Sequence, residues 1–309
     1  MTPNELAEGA IFETGLNHID TDMRLKDTHE ILEICGSLVT YDEVSNQVRL
    51  AHHSVREYLS SQVPTDSPFF MPGEASHREV SELCLSYLLL DDFSCGWTNE
   101  CVLREKLWRF PLLRYAAEWW PYHVIDSKAE QALQPLILRI MDPAGVPPFT
   151  FWLQVVTSSW GGTDFRKKPD WDPKPLYYAA SYGLEQTARS LVTLGAGLDD
   201  KAGRFGGTAL HAAVFRAHPR LVRLLLDSGA DPTIHDNNGT PPSDFCTIYA
   251  YANNGGGGGG GDDSGTNQRE IVRLFQEMVG LLLDRPANQD SRPGRSAPPQ
   301  KRPLPRINE

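Results

Sequence analysis

Two spacings of apolar residues run along this chain, and the helical one dominates. Ile31, Leu32, Ile34, Cys35 and Leu38 recur at the three- and four-residue intervals of one helix face. Asp27-Thr28-His29-Glu30 precedes them as a capping box, with Asp27 accepting an early amide and Glu30 reaching back. Leu38–Tyr41 and Gln47–Ala51 read as two strands around the turn Asp42-Glu43-Val44-Ser45-Asn46. Ser54-Val55-Arg56-Glu57 reads as a second capping box that opens a short helix. Pro64–Gly73 is a Pro- and Ser-rich linker. Beyond it, Val80, Leu83, Cys84, Tyr87 and Leu88 share a helix face, as do Leu112, Leu113, Ala116, Trp119 and Trp120. Gln131–Met141 is a further helix that begins late or bends at Pro135. Pro143, Pro147 and Pro148 interrupt before the apolar run Phe151–Val156, and Trp160–Pro173 is a Gly-, Asp- and Pro-rich boundary.

From Lys174 the chain repeats itself. Lys174-Pro175-Leu176-Tyr177-Tyr178-Ala179-Ala180 returns 34 residues later as Thr208-Ala209-Leu210-His211-Ala212-Ala213-Val214, and Leu191–Gly197 returns as Leu225–Asp231. A self-match near this period marks a solenoid, whose units bury their apolar faces only by stacking on neighbours. The pattern resembles the ankyrin repeat. Two units span 174–206 and 207–239. A third, 240–284, carries a Gly-rich insertion at 253–267 before its apolar helical pattern resumes. The resemblance implies that Thr208 and His211 hydrogen-bond at the start of an inner helix. Lys174 and Tyr177 stand in their place in the first unit, which should be less well capped. Gly195 and Gly229 end outer helices, where a left-handed residue is needed. Leu210, Ala213, Leu221, Val222, Leu224 and Leu225 are core positions by period, and small Ala212 and Ala213 allow close helix packing.

Two further stretches resemble filamentous-fungal NACHT-ankyrin proteins, signal-transducing ATPases of the STAND type. Val48-Arg49-Leu50-Ala51-His52-His53-Ser54-Val55-Arg56-Glu57-Tyr58-Leu59 is similar to the end of their winged-helix region, often described as GPI inositol-deacylase-like. Cys84–Leu88 and Phe110–His123 are similar to the helical connector that follows. The resemblance implies a mainly α chain: a winged-helix remnant (1–63), a linker (64–73), a helical connector (74–173), a short ankyrin solenoid (174–284) and a disordered tail (285–309). The family's motor needs a P-loop, and no G-x-x-x-x-G-K-[ST] occurs here. The Gly255–Gly261 run is no substitute, because no lysine or helix-opening Ser/Thr follows it in register. The expectation is therefore a motor-less C-terminal part, with a truncated product lacking independent function as the alternative.

Charge narrows the function. The 309 residues carry a net charge of -11, and residues 1–63 hold eleven acidic side chains against four basic ones. Such a surface repels phosphate, so a DNA-reading winged helix is not expected. The five cysteines are scattered without zinc spacing and suit reduced thiols in the cytoplasm. Nothing resembles a signal sequence or a membrane span. The basic, Pro-rich tail, with Lys301-Arg302-Pro303-Leu304-Pro305-Arg306, leaves a nuclear location open and could serve as an SH3-type ligand. A lipid-hydrolase reading would need a G-x-S-x-G nucleophile elbow, and none is present. Adjacent His52 and His53 would point to opposite faces of a strand and suit capping or structural roles better than a metal. No enzyme activity, cofactor or metal is expected. Trp108, Trp119, Trp120, Trp152 and Trp160 are expected in the core.

The ankyrin resemblance implies that partner binding uses what the repeat core leaves free, the hairpin tips and the concave face of the inner helices. The tips carry Lys201, Arg204, Phe205, His235, Asp236 and Asn237, and the inner face Ser181, Tyr182, Phe215 and Arg216. Aromatic and Arg side chains dominate protein hot spots. The expected role is a protein-interaction or sensing module with unidentified protein partners.

Overall fold

The computed structural model describes residues 1–20, 23–67, 69–142, 147–158, 172–203, 205–245 and 273. Arg204, Trp160, Cys246, the third repeat beyond Phe245 with its glycine insertion (Arg273 apart), and the tail lie outside these residues.

The architecture is mainly helical. Helix α1 (Pro3–Ile11) opens on a capping box in which Thr2 Oγ1 accepts the Glu5 amide at 3.2 Å and Glu5 accepts the Thr2 amide at 2.7 Å. Helix α2 (Glu30–Cys35) leads into an antiparallel hairpin of β1 (Val39–Asp42) and β2 (Gln47–Leu50), in the register Val39 with Leu50 and Asp42 with Gln47. Asp27 accepts the His29 amide, so it orders the approach to α2 rather than capping it directly. Of the apolar face expected on α2, only Ile31 is buried, while Ile34 and Leu38 face solvent. The short α3 (His53–Glu57) starts two residues earlier than its sequence suggests. His52, not Ser54, is the cap, and its Nδ1 accepts the Ser54 amide. The two histidine rings lie 4.0 Å apart, because they sit at the entry to a helix rather than within a strand.

The connector comprises α4 (Gly73–Leu88), α5 (Glu100–Arg109), α6 (Leu112–Asp126), α7 (Glu130–Ile140) and α8 (Pro147–Ser158). Pro135 lies within α7 and Pro121 within α6. The buried stripe of α6 is Leu112, Leu113, Ala116, Ala117, Trp120, Pro121 and Val124, with Trp120 facing Trp152 of α8 at a ring separation of 5.8 Å. Trp152 donates to the Ala117 carbonyl at 2.8 Å, which satisfies its buried indole. Buried Gln154 exchanges hydrogen bonds with the Thr98 backbone at 2.8 and 2.6 Å. Two of the tryptophans expected in the core are not there: Trp108 is 84% exposed and Trp119 48%. Each lies off its helix's buried stripe.

The first repeat is α9 (Pro175–Tyr182) and α10 (Glu185–Thr193); the second is α11 (Ala209–Phe215) and α12 (Pro219–Asp227). Inner helices α9 and α11 pack together, outer helix α10 touches both α12 and connector helix α7, and one continuous apolar core runs from the connector through the repeats. Gly195 and Gly229 are left-handed, at φ 89° and 98°. The start of α11 is set by His211: its Nδ1 accepts the Thr208 amide at 3.0 Å and its Nε2 meets the Thr240 carbonyl at 3.1 Å. Since an amide can only donate and a carbonyl only accept, the ring is neutral with its proton on Nε2. In the first repeat Lys174 gives α9 no side-chain cap and instead pairs with Asp172 at 2.7 Å. The α10 cap also comes from elsewhere, as Glu130 of α7 accepts the Thr187 amide at 2.7 Å.

Three expected outcomes follow from this packing. Glu8, 3% exposed, accepts from the Tyr87 hydroxyl and pairs with Arg24 at 2.9 Å, tying α1 to α4; burial raises its pKa against the lowering pull of both partners. Glu8→Ala strands Tyr87 and Arg24 and should cost about 3 kcal/mol in chemical denaturation. Gly183 joins α9 to α10 at φ +85°, and an added Cβ would meet the His218 ring at 2.9 Å. Gly183→Ala should therefore cost about 1–3 kcal/mol by the same measurement. Burial lowers the pKa of His123, His211 and His218 from 6.5, outweighing opposing contacts with Asp126, Thr240 and Ser181 respectively. The unfolded chain then takes up protons first as pH falls through 6.5, so stability from these groups is complete above about pH 7 and is lost on acidification. The melting temperature should be lower at pH 5.5 than at pH 7.5, and His218→Asn should remove part of that slope.

Candidate interaction groove

The concave side of the repeats meets the connector in one groove of about 970 Å³. Val156 and Thr157 of α8 and Phe245 line part of it, and the rest of its walls comes from three places. The C-terminal half of α6 contributes Glu118, Trp119 and Tyr122. The inner helices contribute Tyr177, Ser181, Tyr182, Phe215 and Arg216. The turns after each repeat contribute Phe205 and Asp236. The helix period places these groups together: Tyr178, Ser181 and Tyr182 fall on adjoining turns of α9, and Ala212, Phe215 and Arg216 on those of α11.

Four large aromatic side chains stay open to solvent along the walls: Trp119 at 48%, Tyr122 at 49%, Phe205 at 57% and Phe215 at 46%. Tyr182 lies deeper and joins the connector to the repeats, with ring separations of 6.0 Å to both Tyr122 and Trp152. Burial pushes its phenol pKa up, so it stays protonated at neutral pH. Phe215 meets Phe245 edge-on at 5.7 Å, and the Arg216 guanidinium lies 5.7 Å from the Phe215 ring centre.

The sequence-predicted residues divide by position. Tyr182, Phe205, Phe215, Arg216 and Asp236 converge on this groove, with His211 and Ala212 in its lining, while Leu210 is buried in the core. Asp236 is 6% exposed, and its carboxylate is engaged in the turn, accepting the Asn238 and Thr240 amides at 2.8 and 2.9 Å. Burial works against its ionised form, but those amides outweigh it and hold the pKa below the usual carboxylate value. Its role in the structure is therefore to shape the tip. Asn237 is exposed, and its amide donates to the Phe205 carbonyl at 2.8 Å, which joins the two tips. His235 is exposed outside the groove, and Arg204 lies outside the described residues. Sequence reasoning missed Glu118, Trp119 and Tyr122. The available signal was that Trp119 and Tyr122 lie off the stripe defined by Ala116, Ala117, Trp120 and Val124.

Chemically, the groove offers flat apolar surface, tyrosine and indole groups, and the charges of Glu118 and Arg216 beside the turn-bound carboxylate of Asp236. No group of three potential metal ligands occurs among the described residues. No helix among them is long and apolar enough to cross a membrane.

Known families and relatives match parts of this chain. Residues 152–236 match the family description "Ankyrin repeats (3 copies)", a span that begins within α8, ahead of Lys174. Residues 13–71 match "GPI inositol-deacylase, winged helix domain", which covers α2, the hairpin and α3. The chain is 28% identical over 253 residues to azaphilone pigments biosynthesis cluster protein L of Monascus ruber, covering 75% of this chain and 52% of that one. It is 42% identical over 73 residues to mouse ankyrin repeat and SOCS box protein 16, covering 24% of this chain and 16% of the relative. It is 37% identical over 70 residues to the BTB/POZ domain and ankyrin repeat-containing protein NOOT2 of Medicago truncatula, covering 22% and 14%. The chain thus spans about half the length of the Monascus protein and less than a fifth of the other two. Ankyrin repeats, preceded by a winged-helix domain of the GPI inositol-deacylase type, are what this chain carries.

Proposed function

We propose that the chain is a non-catalytic interaction module that seats a protein partner in the groove between α6 and the inner helices of the repeats. The observation that carries this reading is the convergence of four half-exposed aromatic side chains from α6, α11 and a repeat tip on one concavity. Aromatic anchors of this kind concentrate binding energy, and so large an exposed aromatic surface is uncommon where nothing binds. Ankyrin repeats are protein-interaction units, and neither they nor winged-helix domains are catalytic kinds.

The finer reading is a sensing part of a STAND-type signalling protein acting in the cytoplasm, without cofactor, nucleic acid or membrane. One wall of the groove belongs to the connector, whose α4 and α6 also hold α1. A partner that contacts both walls favours one arrangement of repeats against connector, and binding is thereby coupled to the region around the winged helix. The Monascus relative is named for a pigment biosynthesis cluster, so proteins encoded with such a cluster are the first partners to try.

Phe205→Ala combined with Phe215→Ala should lower capture of a protein partner by the full chain at least tenfold, with the melting temperature changed by only a few degrees, since both rings are about half exposed. Unchanged capture by a folded double variant would overturn the groove as the binding surface.

A further inference from the structure

A cluster of titratable side chains behind the groove is left without a role by the reading above. Helices α4 and α6 bring His77 and His123 together, Nδ1 to Nδ1 at 2.8 Å, with ring centres 5.0 Å apart. On its other side the His123 ring meets the Tyr115 hydroxyl, Nε2 to oxygen at 2.8 Å. The Asp126 carboxylate stands 3.9 Å from the same nitrogen of His77 that faces His123. Tyr115, His123 and Asp126 all belong to α6, and His77 alone comes from α4.

Such a pair tolerates one proton between its two facing nitrogens. An imidazole nitrogen either donates or accepts. Two bare Nδ1 atoms would oppose their lone pairs, and two protonated ones would oppose their N–H groups. Two cationic rings cannot keep this contact, because like charges at that distance repel. The charges that act on His123 are those of His77 and Asp126. Around them, Cys84 of α4 and Glu5 of α1 face Tyr115, and Lys128, just beyond α6, is held by Glu74 of α4. Burial and His77 both oppose a charge on His123, and Asp126 alone favours it, so its pKa lies below 6.5.

His77 has a second position within reach. Its side chain is 30% exposed and that of Asp126 60%, so the ring is free to turn on the solvent side. Closing the gap of 3.9 Å would give a cationic His77 a charge-assisted hydrogen bond to the carboxylate. The contact also reaches the groove. Tyr115, whose hydroxyl His123 holds, stacks on Trp119 at a ring separation of 6.3 Å, and Tyr122 precedes His123 in the chain. Trp119 and Tyr122 form the α6 wall.

We infer that His77 and His123 form a proton-operated clasp on the α6 wall of the groove. With one proton between the facing nitrogens the wall is held; with two, His77 turns to Asp126 and the wall loosens. The open form carries one proton more, so acidification favours it and neutral pH favours the closed form. This rests on the groove as the interaction surface and adds its regulation by pH.

The test reads α6 in the full chain, not partner capture. Backbone hydrogen exchange over residues 112–126, followed by mass spectrometry and corrected for the intrinsic pH dependence of exchange, should be about tenfold faster at about pH 5 than at about pH 7.5. His77→Asn keeps a donor for His123 and takes up no proton, so its change over that range should stay below about twofold. No acceleration in the unaltered chain, or equal acceleration in a folded His77→Asn chain, would overturn the clasp. Should His77→Asn fail to melt cooperatively, imidazole nitrogen-15 spectra of the unaltered chain decide. One of the two facing nitrogens should be bare at neutral pH and gain its proton only below pH 6.5, whereas two rings that titrate independently at 6.5 overturn the proposal. If the clasp fails while Phe205→Ala with Phe215→Ala still lowers partner capture, the regulation is wrong and the interaction surface stands.

Discussion

The aromatic junction between connector and repeats is the contact on which the rest of this structure depends. Trp152 of α8 packs on Trp120 of α6 and also against Tyr178 and Tyr182 of α9. Both tryptophans are fully buried, and rings of this size contribute on the order of 2–3 kcal/mol each by leaving water. A solenoid end needs a cap, because an open inner helix would expose its apolar face. Here the connector is that cap. It also sets the groove, since the same contact that seals α9 brings Tyr122 against Tyr182.

Polar groups reinforce the junction where the repeat sequence is weak. The first repeat lacks the Thr and His that order the second, and the connector instead ties down its outer helix. Glu130 caps α10 through the Thr187 amide, and Gln134 reaches the Gln186 carbonyl and Ser190 hydroxyl at 3.0 and 2.8 Å. In the second repeat the neutral ring of His211 spans two turns, and Asp236 holds the following tip. Both are buried polar groups that satisfy backbone amides or carbonyls of two residues, so each favours one geometry, because another arrangement would leave an amide or carbonyl unmatched. The tips are thereby held in place, and Phe205 with them.

The groove differs from the core in what its aromatic residues do. Trp120, Trp152 and Tyr178 are enclosed and stabilise the fold, whereas Trp119, Tyr122, Phe205 and Phe215 keep about half their surface in water. Apolar surface retained in that state lowers solubility and adds no folding energy, which is the physical basis for assigning it to recognition. Tyr182 stands between the two groups: it lines the groove and holds α6 to α9, so a partner that touches it touches the junction itself.

Much of this was legible in one dimension. The 34-residue echo marked both repeats and the left-handed Gly195 and Gly229, and its resemblance to the ankyrin pattern supplied the role of Thr208 with His211, because chain reversal and capping act within a few residues of each position. The hairpin around Asp42–Asn46 was read from its apolar alternation, and Tyr182, Phe215 and Arg216 were placed on the inner face by the ankyrin resemblance. Helix starts were less secure: His52 rather than Ser54 caps α3, because a cap depends on which side chain can reach a free amide. What the tertiary structure decided was burial. Periodicity tells which residues share a face but not which faces find a partner, so Trp119 and Trp108 looked like core and are exposed, and Asp236 looked like surface and is buried. The junction likewise rests on pairs such as Trp152 with Tyr182 and Glu130 with Thr187, which lie far apart in sequence. A groove made by two segments that meet only on folding leaves its mark on neither segment alone, and that is why its connector wall had to be seen rather than read.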